Sequence, residues 1–174
     1  MLQFSQITSI PGAYYIKKKQ HKDERGFFER AFCSDVLKKH GLVHQFVQTN
    51  ISGNNLKGTL RGLHFQNEPY SETKLVACVN GAVFDVLVDI RDRRNIKWEG
   101  FHLTEGDGVA LYIPKGVAHG YITMTDNSTI IYFVDQEYKP SADNGIRWDD
   151  PSVGIKWPIQ PLVISDKDKG FPLL

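Results

Sequence analysis

The sequence predicts an all-β protein, a barrel or jelly roll with one or two short helices. Apolar residues fall in short runs punctuated by glycine, proline, asparagine and aspartate, with almost nothing at helical period. The runs also follow one another without the crossover helices that a parallel sheet requires. At 174 residues the chain fits a single domain spanning 1–174, long enough to bury one substantial core.

Taken in order, Asp23-Glu24-Arg25-Gly26 reads as a turn entering a strand at Phe27-Phe28. Ser34 to His40 is the clearest helix: Ser34 offers an N-cap oxygen, Asp35 suits the first turn, and Gly41 follows the last. Val43 to Ile51 predicts a strand with Gln48 and Asn50 on one side. Lys74 to Val79 and Ala82 to Ile90 read as two arms of a hairpin, because Asn80-Gly81 is a strong signal for a primed turn. In the second arm, Phe84, Val86, Val88 and Ile90 share the face expected to be core, while Val83, Asp85, Leu87 and Asp89 share the other. Gly100 to Leu103, Val109 to Ile113, Gly120 to Met124 and Thr129 to Asp135 predict further strands. From Tyr138 onward the chain is rich in proline, aspartate and tryptophan, and is expected to be loop packed on the barrel.

Composition narrows the function. Apolar residues make up 41%, charged residues 24%, and the net charge is +1, as in an ordinary soluble globular protein. A near-neutral chain argues against a nucleic-acid partner gripped by a broad basic surface, but leaves room for a local pocket holding one diphosphate. No apolar run approaches a membrane span, so no membrane partner is expected. The N-terminus lacks the pattern of a secretory signal, so a cytoplasmic location is expected. Cys33 and Cys78 are too few for a disulfide framework or a zinc site, which suits a reducing compartment.

The stretch from Gly58 to Lys74, GTLRGLHFQNEPYSETK, stands out. Arg61, His64, Gln66 and Lys74 lie among apolar and small residues, a mixture that a core strand has no use for. Each would be costly to bury without a partner, and the simplest owner of the group is a pocket. Alone, His64 reads as a core histidine bonded to a backbone carbonyl; its neighbours turn the balance toward chemistry. By pattern alone Tyr132 is an ordinary barrel aromatic and Asp168 part of a solvated charge run.

Gly108 to Thr123, GVALYIPKGVAHGYIT, resembles the second signature of the cupin barrels, with His119 at the ligand position. Gly58 to Gln66 resembles the first signature, but Gln66 replaces its second metal-binding histidine. With a ligand lost and no carboxylate at matching spacing, a metal-free site is expected. A wider resemblance covers nearly the whole chain: DERGFF at Asp23, QTNIS at Gln48, LRGLHFQ at Leu60, KLV at Lys74, GAVFDVLVDIR at Gly81, IPKGVAHGY at Ile113, the tyrosines Tyr132 and Tyr138, GIRWDDPSVGIKWP at Gly145, and SDKD at Ser165. Together these look like the dTDP-4-dehydrorhamnose 3,5-epimerase family, metal-independent cupin enzymes of activated deoxysugar biosynthesis.

The resemblance implies a cupin jelly roll and a nucleotide-diphosphate sugar with a ketone at C4. It makes His64 the base, Asp168 its orienting carboxylate and Tyr132 the acid on the far face, and puts Lys74 and His119 at the C4 oxygen. Arg61 and Arg25 become candidates for the diphosphate, and Gln48, Asn50, Tyr138 and Lys167 further substrate contacts. It implies no cofactor and a homodimer. The chain departs from the family's pattern in several places: Arg30 falls on a glutamate position, Ile51 replaces a histidine, and Glu137 replaces the first of two tyrosines. Glu72 stands for glutamine two residues before Lys74, read as either a solvated loop charge or a substrate contact. The loop after Arg91 is slightly short. Three readings stay open on the sequence alone: the rhamnose-pathway 3,5-epimerase; the same chemistry on another nucleotide sugar, such as a GDP-linked 4-keto sugar or a heptose, with one or both carbons inverted; and a non-catalytic cupin that binds a nucleotide sugar.

Overall fold

Two antiparallel sheets packed face to face form the body of the protein. The computed structural model describes residues 2–174. Strands β1 (Leu2–Gln6), β2 (Tyr14–Lys18), β3 (Gln20–Asp23) and β4 (Gly26–Glu29) come first, followed by helix α1 (Ser34–Lys39). Then come β5 (Gln48–Asn54), β6 (Thr59–Gln66), β7 (Lys74–Asn80), β8 (Ala82–Asp89), β9 (Lys97–Thr104), β10 (Val109–Ile113), β11 (Val117–Thr123) and β12 (Ser128–Val134). The C-terminal part contributes β13 (Asp143–Gly145), β14 (Val163–Ile164) and the single-turn helix α2 (Asp166–Lys169). One sheet runs β1-β2-β10-β7-β12-β5 and the other β13-β6-β11-β8-β9, with β14 joining β6 in parallel; β3 and β4 form a separate hairpin. This is the expected jelly roll. None of the described helices is long and apolar enough to cross a membrane.

Period-two alternation decides where each strand sits. Val76, Val83, Leu87, Leu111 and Ile130 point between the sheets and are fully buried. Burying each such side chain contributes roughly 1.5–3 kcal/mol. The outer face of the second sheet is buried as well. There Phe84, Val86 and Val88 pack under the C-terminal stretch through Trp148, Ile155 and Trp157. The outer face of the first sheet is covered by α1 and its flanks, with Leu37, Phe32 and Phe46 against Leu75, Ala77 and Phe133.

Four expectations are corrected here. Asn80-Gly81 does turn the chain, with Gly81 in the left-handed region at φ +70°, but β7 and β8 belong to different sheets and do not pair. The turn is a corner between sheets, because β7 already has β10 and β12 as neighbours while β8 has β11 and β9. The barrel interior is lined by Val83 and Leu87, and the Phe84, Val86 and Val88 face is an outer one that the tail buries. Cys33, without a side-chain capping bond, occupies the N-cap of α1, which leaves Ser34 inside the first turn. The strand expected from Val43 begins at Gln48, since residues 43–47 pass along the side of α1 instead. The other strands fall within a few residues of their expected bounds, and the stretch after Tyr138 is mainly loop against the second sheet.

Candidate active site

The stretch that looked unfit for a core strand is nonetheless a central strand. β6 runs between β13 and β11, with Leu60, Leu63 and Phe65 in the outer apolar cluster and with Arg61, His64 and Gln66 beside a cavity of about 400 Å³. The register sets His64 opposite His119 and Arg61 opposite Tyr121, with an irregularity between His119 and Tyr121. That irregularity is built on two facing glycines: a Cβ on Gly62 would lie 2.5 Å from the Gly120 Cα, so no other residue pair lets the strands approach there.

His64 Nε2 lies 2.8 Å from Asp168 Oδ1, and the Gly62 backbone N–H donates to Asp168 Oδ2 at 3.0 Å. Ser165 caps α2 by accepting from the Asp168 N–H, which sets the carboxylate under the strand. The run that reads as solvated charge therefore delivers a buried carboxylate. Burial pushes the Asp168 carboxyl up, but the hydrogen bond and charge of His64 and the Gly62 N–H outweigh it and hold the net value below the usual range. An ionised Asp168 on Nε2 leaves the second imidazole nitrogen, Nδ1, as the basic one.

Tyr132 comes from β12 in the opposite sheet and lines the same cavity. Burial raises its phenol above the ordinary tyrosine value; the Arg61 charge opposes this and the Glu72 charge reinforces it. Lys74, at the start of β7, is buried, donating to the His64 carbonyl at 3.1 Å and pairing with Glu72 Oε1 at 3.0 Å. Glu72 is therefore a buried partner of Lys74, and the solvated-charge reading of it is corrected. His119 Nε2 sits 2.9 and 3.0 Å from the two oxygens of the fully buried Asp85.

The substrate-side candidates separate. Gln48 donates to Asn50 at 3.0 Å and accepts from the Tyr138 N–H at 3.3 Å, and all three line the cavity. Arg61 is oriented by Asn54 Oδ1 at 2.8 Å. Lys167 and Tyr138 both meet Asp143 Oδ2, the tyrosine at 3.0 Å. Arg25 stands apart: it sits at the tip of the β3–β4 hairpin, 84% exposed and paired with Asp23, outside the cavity of its own chain. Gln66 has a structural task, accepting from the Lys139 N–H at 2.6 Å and donating to the Tyr70 and Glu137 carbonyls. Among the described residues no group of three histidine, cysteine, aspartate or glutamate side chains is gathered as metal ligands are.

Asp85 and Asp143 are missed by sequence reasoning. Asp85 carried a signal, a carboxylate on the inward face between Val83 and Leu87; Asp143, at the start of the three-residue strand β13, carried none.

The family model for dTDP-4-dehydrorhamnose 3,5-epimerase matches residues 7–174. A dTDP-4-dehydrorhamnose 3,5-epimerase of Shigella flexneri is 43% identical over 164 residues, covering 92% of this chain and 90% of the relative. The crystal structure of the Bacillus anthracis enzyme of that name, with TDP and PPi bound, superposes with a TM-score of 0.95 at 36% identity over 100% of both chains. A Legionella pneumophila dTDP-6-deoxy-D-glucose-3,5-epimerase in complex with dTDP-4-keto-L-rhamnose gives a TM-score of 0.90 at 34% identity, covering 99% of this chain and 93% of that one.

Proposed function

The chain belongs to the dTDP-4-dehydrorhamnose 3,5-epimerase family and is a carbohydrate epimerase; from that membership we infer that it inverts C3 and C5 of a dTDP-linked 4-keto-6-deoxyhexose. The observation that carries this reading is a histidine with its carboxylate on one sheet and a protonated tyrosine on the other, both lining one cavity. A module that only binds its ligand has no use for a base facing an acid.

The hydrogens at C3 and C5 lie α to the C4 ketone. His64 takes one of them as a proton through Nδ1, and the C–H electron pair moves into the C4 carbonyl to give an enolate. The imidazolium is stabilised by ionised Asp168. Tyr132 then gives its proton to the same carbon from the other face, which inverts the centre. The two residues reset by proton exchange with water, and the cycle repeats at the second carbon. Electrons balance within the substrate, so no electron acceptor enters the cycle. Lys74 donates to the oxygen on which the enolate charge develops, where a fixed donor is worth most. Arg61, whose partners are neutral oxygens, holds the diphosphate, and Gln48, Asn50, Tyr138, His119 and Lys167 frame the nucleotide and sugar.

The same reading makes residues 1–174 one catalytic domain, working in the cytoplasm as a homodimer. Phe27 and Phe28, 52% and 71% exposed on the β3–β4 hairpin, form an apolar tip that a second copy would cover, which supports the dimer. In D2O, the protein is expected to introduce deuterium at C3 and C5 of the dTDP-linked sugar. Exchange only with a GDP-linked sugar would overturn the choice of nucleotide, and no exchange with either would overturn the enzymatic reading.

A further inference from the structure

Glu72 is a cavity carboxylate that this chemistry does not use, and its surroundings are unusual. It lies on the loop between β6 and β7, its side chain 8% exposed, and its Oε1 meets the Lys74 ammonium at 3.0 Å. Its other oxygen, Oε2, is sealed from solvent with no hydrogen-bond partner. A carboxylate that merely braced a loop would satisfy both oxygens on backbone N–H groups, as Asp150 does with Ser152 and Leu174. Glu72 is held by Lys74 alone.

The ammonium is correspondingly committed. It has three N–H donors: one reaches the His64 carbonyl at 3.1 Å, one faces Glu72, and one is left for the cavity. The hydrogen bond to His64 and the ion pair with Glu72 together restrict where the ammonium can point. The pairing also redistributes charge. Of the lysine and arginine side chains lining the cavity, Lys74 is paired with Glu72 and Lys167 with Asp143, whereas Arg61 bonds only the neutral oxygens of Asn54 and Gly53.

We propose that Glu72 is a positioning residue: it fixes the Lys74 ammonium and cancels its charge, so that the lysine serves the keto oxygen of the sugar and leaves the diphosphate to Arg61. This rests on the epimerase reading above. A neutralised ion pair donates only weakly to an uncharged ketone and strengthens as the oxygen becomes negative, which is the differential binding that accelerates a reaction. An unpaired ammonium in the same place would attract the diphosphate at least as strongly as the ketone. The charge of the same carboxylate also favours the protonated form of Tyr132, which lines the same cavity.

The test compares wild type with Glu72→Gln and Glu72→Asp. Calorimetry gives the dTDP affinity, and deuterium incorporation into the dTDP-linked 4-keto-6-deoxyhexose gives kcat and KM. In Glu72→Gln, the amide keeps an oxygen beside the ammonium but not the charge that holds it, so kcat should fall about tenfold. Loss of the negative charge should tighten dTDP about fivefold. Glu72→Asp keeps the charge one methylene short, so kcat should fall while dTDP affinity stays at the wild-type value. Opposite movement of turnover and nucleotide affinity in Glu72→Gln is what a merely structural residue would not produce. Wild-type kcat in either variant, or turnover and dTDP affinity weakening together, overturns the proposal; if Glu72→Gln fails to fold, Glu72→Asp decides. Absence of exchange by the wild-type protein overturns the proposed function instead, and the dTDP comparison still decides whether Glu72 screens Lys74.

Discussion

Two histidine–aspartate pairs face each other across the β6–β11 register, His64 with Asp168 and His119 with Asp85, and the same residue types are set up for different work. The His64 side chain is 36% exposed and its carboxylate comes from α2, at the far end of the chain. Asp168 divides its oxygens between the imidazole and the Gly62 N–H, so the ring is held at one nitrogen and open at the other. The His119 side chain is only 9% exposed, and Asp85, with none of its surface exposed, turns both oxygens to a single nitrogen. A base must reach its substrate and change charge during turnover; a buried pair that changed charge would have to be desolvated afresh each time. Exposure and the partner's second hydrogen bond, more than residue identity, separate a proton-transfer pair from a fixed one.

Substitutions should break this symmetry in order. His64→Ala removes the base, and exchange should fall by about 10³-fold or more, measured as deuterium incorporation. Asp168→Asn keeps the shape but no longer favours the reactive tautomer or the imidazolium, so kcat should drop roughly 10³-fold with KM little changed. Tyr132→Phe leaves the base intact: washout at C3 and C5 should persist while inversion slows about 100-fold, so exchange and epimerisation rates part company. Equal loss of both rates in Tyr132→Phe would assign the tyrosine to proton removal and undo the division between the sheets.

Much of this arrangement was legible in the sequence, and what was not has physical causes. Short alternating strands without crossover helices pointed to a barrel or jelly roll, the family resemblance to the jelly roll itself, and β10 from Val109 to Ile113 was read at its exact bounds because it is buried on both sides and closed by Pro114. Asn80-Gly81 was read correctly as a turn and wrongly as a hairpin, since a turn signal says that the chain reverses and nothing about which neighbours its strands take. β8 was assigned a single core face because alternation assumes one solvent side, whereas the C-terminal stretch dries the other. The base and acid candidates converge on one cavity, but Asp85, which holds His119, and Asp143, which holds Lys167 and Tyr138, make pairings that local pattern does not encode. Glu72 was visible as a charge near a lysine; only burial could distinguish a held carboxylate from a solvated one.

The second histidine pair supplies the next smaller effect. His119→Ala leaves Asp85 buried and uncompensated, which should cost about 3–5 kcal/mol in unfolding free energy, whereas Asp85→Asn with His119 retained should cost less. A His119→Ala protein as stable as wild type would mean that Asp85 finds another partner and that the pair is not fixed. The smallest effect is in pH dependence. The folded-state carboxyl of Asp168 lies below its unfolded value, so the stability it contributes is fully present above the ordinary carboxylate range and is lost as pH falls through the depressed value. The difference in unfolding free energy between wild type and Asp168→Asn should therefore stay level from about pH 5 to 8 and narrow only below about pH 4. A difference that stays level as pH falls through and below about 4 would mean that the carboxyl is not held below its ordinary value, and the tight Asp168–His64 pairing on which the contrast between the two pairs depends would have to be given up.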